Sequence, residues 1–292
     1  MTEKIAVVVP ARQARAATPR RHDVVSAALK VFTIAGAVIS MATLLFIIGF
    51  VLINGVPNLS LDLFNIKYTS DNCSVTPAVI NTVVMTLMSL LLATPLGLLS
   101  AVFLVEYADN TSKIVGLIRI TAETLSGIPS IVYGLFGLLF FSSTCNLGFS
   151  MISGSLTLAV MVLPLIMRTS EEALKSVPMS YREASFGLGA GKLRTIFKVV
   201  VPPAMPGILS GIILATGRIV GETAALLYTA GTVAKIAGIT ESGRTLAVHM
   251  YVLSTEGLHT DKAYATAVVL LVMVFVINRV SDILAKKVGK QK

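Results

Sequence analysis

Six long stretches of this chain are dominated by apolar residues, at about 31–53, 78–105, 114–141, 149–168, 206–228 and 263–285. Each reaches or approaches the roughly 20 apolar residues with which a helix crosses the hydrocarbon core of a bilayer. Composition agrees: hydrophobic residues make up 54% and charged residues only 13%, against about 25% charged in soluble domains. Disorder, a disulfide scaffold and a water-soluble enzyme are excluded, and no sustained period-two alternation supports a β-barrel. The expected fold class is an all-α membrane protein with six transmembrane helices. Arg119 and Glu123 interrupt the first half of the third stretch, which reads either as part of a span or as an amphipathic elbow on the membrane surface. Gly127 and Pro129 should bend the start of this span, and Pro95 with Gly97 should kink the second.

Orientation follows from the basic residues. With the N-terminus inside, the outer loops hold only Lys67, Lys235, Arg244 and Lys262. Arg218 falls within a span, and the remainder of the 24 Lys and Arg residues lies on the cytoplasmic side. Both termini are therefore expected in the cytoplasm. Residues 1–28 read as a basic tail, and residues 29–292 as the six-helix domain. The first stretch is too long for a signal h-region and has no cleavage pattern after it, so it reads as a retained anchor. Cys73 and Cys145 both fall in outer loops, where they can be bridged or free. His22, His249 and His259 lack metal-ligand spacing, so neither a metal nor a cofactor is expected. The net charge of +9 is accounted for by its one-sided placement without nucleic acid as a partner.

Residues 170–203 form a long cytoplasmic loop. Pro178 should end the helix running on from span four. Ser180-Tyr181-Arg182-Glu183 reads as a capping box, with Glu183 reaching back to Ser180. A short helix to about Gly187 should end at Gly189 and Gly191, and a second short helix should lead to Val199-Val200-Val201-Pro202. Glu183-Ala184-Ser185, then Gly189, then Val199-x-Val201-Pro202 resembles the EAA loop of type I ABC importer permeases, with Ser185 replacing the usual second Ala and Val199 and Val201 replacing Ile and Leu. The resemblance implies that Glu183, Ala184, Ser185, Gly189 and Pro202 dock into a groove on an ATPase and carry its motion; Glu183 can also simply cap its helix. Residues 187–192 are Gly-rich but fail as a P-loop, because Phe186 and Leu193 occupy the positions of the first Gly and the Mg²⁺-binding hydroxyl. Hydrolysis must come from a partner, so the chain itself is not expected to be an enzyme.

Span five carries Arg218 about twelve residues beyond Pro206, near the bilayer midplane by helical rise. A guanidinium there is costly and should face a bundle interior or a hydrated path. Glu222, four residues on, would share its helix face. The two can serve packing alone, or Glu222 can hold Arg218 between transport events. Arg168 closes span four and reads as a second candidate cation or as a positive-inside anchor. Arg218-x-x-Gly221-Glu222-Thr223-Ala224 is similar to a segment of the PstA-type permeases of phosphate importers. So are Thr94-Pro95-Leu96-Gly97 with Glu106-Tyr107, the run from Pro129 to Phe136, and the run from Arg168 to Ala184. The resemblance implies uptake of inorganic phosphate across the bacterial inner membrane, with a homologous second permease subunit, a cytoplasmic ATPase dimer and an extracytoplasmic binding protein as partners. A guanidinium suits this substrate, since it stays charged and can grip two oxygens at once. A permease for molybdate, sulfate or phosphonate, and a non-transporting membrane regulator, stay open as alternatives.

Overall fold

The computed structural model describes residues 21–109 and 111–289. Most of the expected tail lies outside these residues, and from Arg21 onward the chain is already helical. The chain divides at Phe50. Up to that point helix α1 (Arg21–Gly55) is an apolar rod with exposed side chains, Phe32, Ile39 and Phe46 among them. The remainder of the chain is built from α2 (Thr76–Val102), α3 (Lys113–Ser126), α4 (Ser130–Gly137), α5 (Met151–Lys175), α6 (Met179–Gly187), α7 (Lys192–Thr195), α8 (Val201–Val220), α9 (Ala224–Leu227), α10 (Leu246–Glu256) and α11 (Thr260–Gly289). π-helical turns at Phe103–Tyr107, Leu138–Thr144 and Ile196–Val200 prolong α2 and α4 and join α7 to α8. Among the described residues, five helices are long and apolar enough to cross a membrane, and a sixth crossing results if the bent pair α3–α4 counts as one.

That pair bends by 101°. Gly127 closes α3 by donating to Thr124, and Pro129, which has no N–H, opens α4. Of the α3 side chains only Val115 is buried. The break thus falls where Gly127 and Pro129 are expected to put it, and it divides the third stretch into two helices.

Helix α5 occupies the centre, packed along α2 on one side and α8 on the other. Small residues permit this. A Cβ on Gly97 would come within 2.8 Å of Ile166, and one on Gly207 within 2.7 Å of Ala173. Close backbone approach is how helices associate where the lipid is as apolar as the side chains. Met85, Leu158, Val162, Ile166, Ala215 and Ile219 fill the middle of this seam. Leu104, Leu174, Ile196, Val200 and Ile208 fill its basic end.

At the opposite end, residues 228–245 fold over the bundle without regular structure. Asn81 of α2 holds them, donating to the carbonyls of Lys235 and Arg244 and accepting from the Ala237 N–H. The first N–H groups of α5, which have no partner inside a helix, donate to this segment: Met151 to Glu241 and Ile152 to Ile239. Arg244 is buried with its guanidinium over the Tyr68 ring. His249 beside it is fully buried and bonds the Cys73 carbonyl through Nε2. Cys73 is buried and Cys145 exposed, and both are free thiols.

Burial, aided by the Arg244 charge, pushes the His249 imidazole down to about 3. The unfolded chain takes up a proton near pH 6.5 that the folded one refuses. Stability is therefore full above about pH 6.5 and falls below it by up to ~1.4 kcal/mol per pH unit, until the folded imidazole itself titrates. His249→Gln should flatten this acid sensitivity. The check is the melting temperature of the solubilised protein between about pH 7.5 and 5; equal slopes for the two proteins would refute it.

Candidate functional site

The loop that follows α5 has the expected outline but differs in detail. Helix α5 continues to Lys175, past residue 168, and Pro178 stands at the N-terminal boundary of α6. The capping box does not form. Because Pro178 starts the helix, Ser180 already lies inside its first turn and makes no capping bond. Glu183 is exposed. The end of α6 is as expected. Gly189 adopts φ +79°, its N–H donates to Phe186, and the Ala190 N–H donates to Ser185. This is the double bond of a Schellman cap, which needs a residue able to turn left-handed. The second short helix does not end. From Lys192 the chain runs helically through Val220; Pro202, which cannot donate within that helix, directly follows the π turn Ile196–Val200.

The outer face of this loop is an open groove of about 670 Å³, lined by Tyr181, Ala184, Ser185, Leu188, Gly189 and Arg194 among others. Ser185 forms its floor, its hydroxyl bonded to that of Thr195 at 2.8 Å. Leu188 is 89% exposed, with Met179 and Leu193 also uncovered. The end of α6 thus presents large apolar side chains and the Glu183 carboxylate to the outside.

The second region differs more. Helix α8 stops at Val220 and Gly221 caps it, so the span expected to reach residue 228 ends earlier and α9 follows as a separate turn. Arg218 lies in the last turn of α8 and Glu222 lies beyond it. The shared helix face is therefore lost. The carboxylate of Glu222, 8% exposed, instead accepts from the N–H groups of Thr223 at 3.2 Å and Ala225 at 3.1 Å. It closes the turn into α9, and no Arg218–Glu222 pair exists. Among the described residues Arg218 forms no ion pair and no hydrogen bond. It is half-buried in a cleft of about 680 Å³ with Leu165, Ile213, Leu214, Ser210 and Asn278, near enough to Tyr133 for its charge to act there.

Arg168 does have partners. It is exposed and lies 3.3 Å from Glu172 and 3.4 Å from Glu123, an arrangement worth at most about 1 kcal/mol. Beside it, buried Glu171 receives Arg119 at 2.8 Å and Lys175 at 2.6 Å, tying α3 to α5. Sequence reasoning missed Asn278, the polar side chain opposite Arg218. The signal available was an amide at the end of the apolar run of the last span, just before Arg279. It also missed that Arg182 is buried.

Long crossing helices packed on a central one, with a helical loop exposed at their basic end, fit the transmembrane component of a transporter. The profile of the binding-protein-dependent transport system inner membrane components matches residues 93–290, and the chain belongs to that family. It is a multi-pass inner-membrane subunit. The chain is 36% identical over 266 residues to the probable ABC transporter permease protein YqgI of Bacillus subtilis, covering 85% of this chain and 90% of that one. It is 40% identical over 179 residues to the phosphate transport system permease protein PstA of Xylella fastidiosa, covering 60% of this chain and 62% of that one. The phosphate transport system permease protein PstA 1 of Mycobacterium tuberculosis is 42% identical over 154 residues, 53% of this chain and half of its own length. Among solved structures, a permease of a bacterial alginate ABC transporter superposes with a TM-score of 0.70 at 16% identity, over 92% of this chain and 98% of that one. A chain of the MetNI methionine transporter gives 0.57 at 20% identity, over 73% and 94%. At these identities the two structures speak for the fold alone.

Proposed function

We propose that this chain is the permease subunit of an ATP-driven importer for inorganic phosphate, forming half of the path beside a homologous second permease. The observation that carries this reading is Arg218. A guanidinium among Leu165, Ile213 and Leu214 that forms no ion pair among the described residues is expensive in a membrane unless it serves an anion. Phosphate carries one to two negative charges at neutral pH and offers paired oxygens that the planar fork grips. Asn278 and Ser210 can add hydrogen bonds from the same cleft. The phosphate transport permeases to which part of the chain is similar point the same way. Arg168, shared between two carboxylates, acts as a second cation nearer the basic end, where an arriving anion competes with Glu123 and Glu172.

The groove on α6 receives the ATPase through Ala184, Ser185 and Gly189. Glu183 supplies the outward charge, and Pro202 marks where the loop re-enters the membrane. The basic end faces the cytoplasm together with both termini, and a binding protein delivers phosphate to the opposite end. The test is uptake of labelled phosphate by cells that depend on this chain, with sulfate, molybdate and phosphonate as competitors. Phosphate alone should compete. Displacement by about tenfold excess of another oxyanion would assign the permease to that anion.

A further inference from the structure

Arg182 sits one residue before the loop carboxylate Glu183, yet it faces inward and is only 7% exposed. All three of its nitrogens are used. Nε and Nη2 donate to the same Glu106 oxygen at 2.9 and 2.7 Å. Nη1 donates to the Val177 carbonyl at 2.9 Å, and Nη2 also reaches the Leu174 carbonyl at 3.1 Å. Glu106 belongs to the π turn that ends α2 and is as deeply buried as Arg182. Leu174 lies in the last turn of α5 and Val177 just beyond it, where helical carbonyls lack partners of their own. One side chain of α6 thus binds the ends of both α2 and α5. Next to it the Lys192 ammonium lies 4.4 Å from the centre of the Tyr107 ring, a second tie between the same π turn and the loop.

Packing alone does not require a charge here. A buried ion pair is often matched or exceeded in stability by apolar side chains of similar volume, whereas removing one partner strands the other. What the pair adds is direction. Its bonds fix α6 to two helices in a single geometry, and α5 is in turn seated against α8 at Ala173–Gly207 and Thr169–Gly211. A contiguous route of hydrogen bonds and close helix contacts therefore runs from the exposed loop to the helix that carries Arg218. We infer that Arg182 and Glu106 form a positioning clamp that transmits displacement of the loop helix to α2 and α5, and through α5 to the substrate path. This rests on the proposed importer function and adds two residues outside the docking face.

The test is the amount of phosphate imported per ATP hydrolysed, measured on the whole complex in proteoliposomes with the loaded binding protein. The double variant Arg182→Met with Glu106→Met removes the clamp without stranding a charge. It should assemble with the ATPase and hydrolyse ATP, but import per ATP should fall by about tenfold or more. Glu106→Asp keeps the charge and shortens the reach. It should lower the ratio too, and it decides the matter if the double variant does not assemble. A ratio within about twofold of wild type in whichever of these variants assembles would overturn the clamp and leave the pair a packing feature. A wild-type complex that hydrolyses ATP and imports no phosphate counts against the substrate instead. The clamp is then read from spin labels at Leu99, exposed on α2, and Phe197, exposed on the π turn that leads into α8. Their ATP-dependent spacing should change in the wild type and not in the variants, and an equal change in both would overturn it.

Discussion

Gly189→Asp is expected to leave the permease in the membrane while cutting both ATPase association and phosphate uptake by roughly 5–30-fold. The position is left-handed, φ +79°, where an ordinary L side chain costs about 1–2 kcal/mol, a factor of roughly 5–30; Asp bears less of that strain than Ala, and its carboxylate supplies the rest of the loss. Crowding is not the cause, since a Cβ at Gly189 meets nothing within 4 Å. The series can therefore separate conformation from charge. Gly189→Asn, which tolerates the left-handed region, should keep most function. Gly189→Ala should lose an intermediate amount through backbone strain alone. Gly189→Asp adds a carboxylate to the groove that Ala184 and Leu188 line and should be the most damaging. Pull-down of the ATPase and uptake per permease measure this. Wild-type values for the Asp variant would remove the groove from the docking surface.

Much of the fold was legible because the bilayer imposes a simple rule. Spans one, two, four and six are plain apolar runs, and their helices lie where length and hydropathy put them. The bend at Gly127–Pro129 and the turn at Gly189 were equally readable, since each rests on what proline and glycine can do locally. What the sequence hid were the decisions that tertiary contacts make. Ser180-x-x-Glu183 has the spacing of a capping box, but Pro178 starts α6 two residues too early for it. Glu222 sits four residues after Arg218, a spacing that means adjacency only while the helix lasts; α8 ends at Val220, and the carboxylate turns to the N–H groups of α9. Arg182 reads as one more basic residue in a basic loop, and its burial against Glu106 depends on a helix end 76 positions away in sequence. Of the candidate site, the residue types and their order were visible, and the pairings were not.

Arg218 carries the largest expected effect. Arg218→Lys keeps the charge and loses the two-pronged grip, a deficit of about 1.5–3 kcal/mol, or roughly 10–150-fold in uptake per permease. Arg218→Gln also loses the charge and should fall at least ~100-fold. Glu222→Gln should behave differently. Its amide oxygen can still accept from Thr223 and Ala225, so about 1 kcal/mol of stability is lost while uptake per surviving permease stays within about twofold. Since the two side chains do not touch, the effects of the double variant should add in free energy. A Glu222→Gln background that rescues Arg218→Gln would show instead that the two form a pair.

One measurement bears on the central claim most directly: ATP-dependent accumulation of labelled phosphate in proteoliposomes holding the assembled importer, with Arg218→Gln compared against wild type at equal complex content. The expected result is accumulation by the wild type, with background uptake and continued basal ATP hydrolysis by the variant. Accumulation at the wild-type rate by Arg218→Gln would contradict the account.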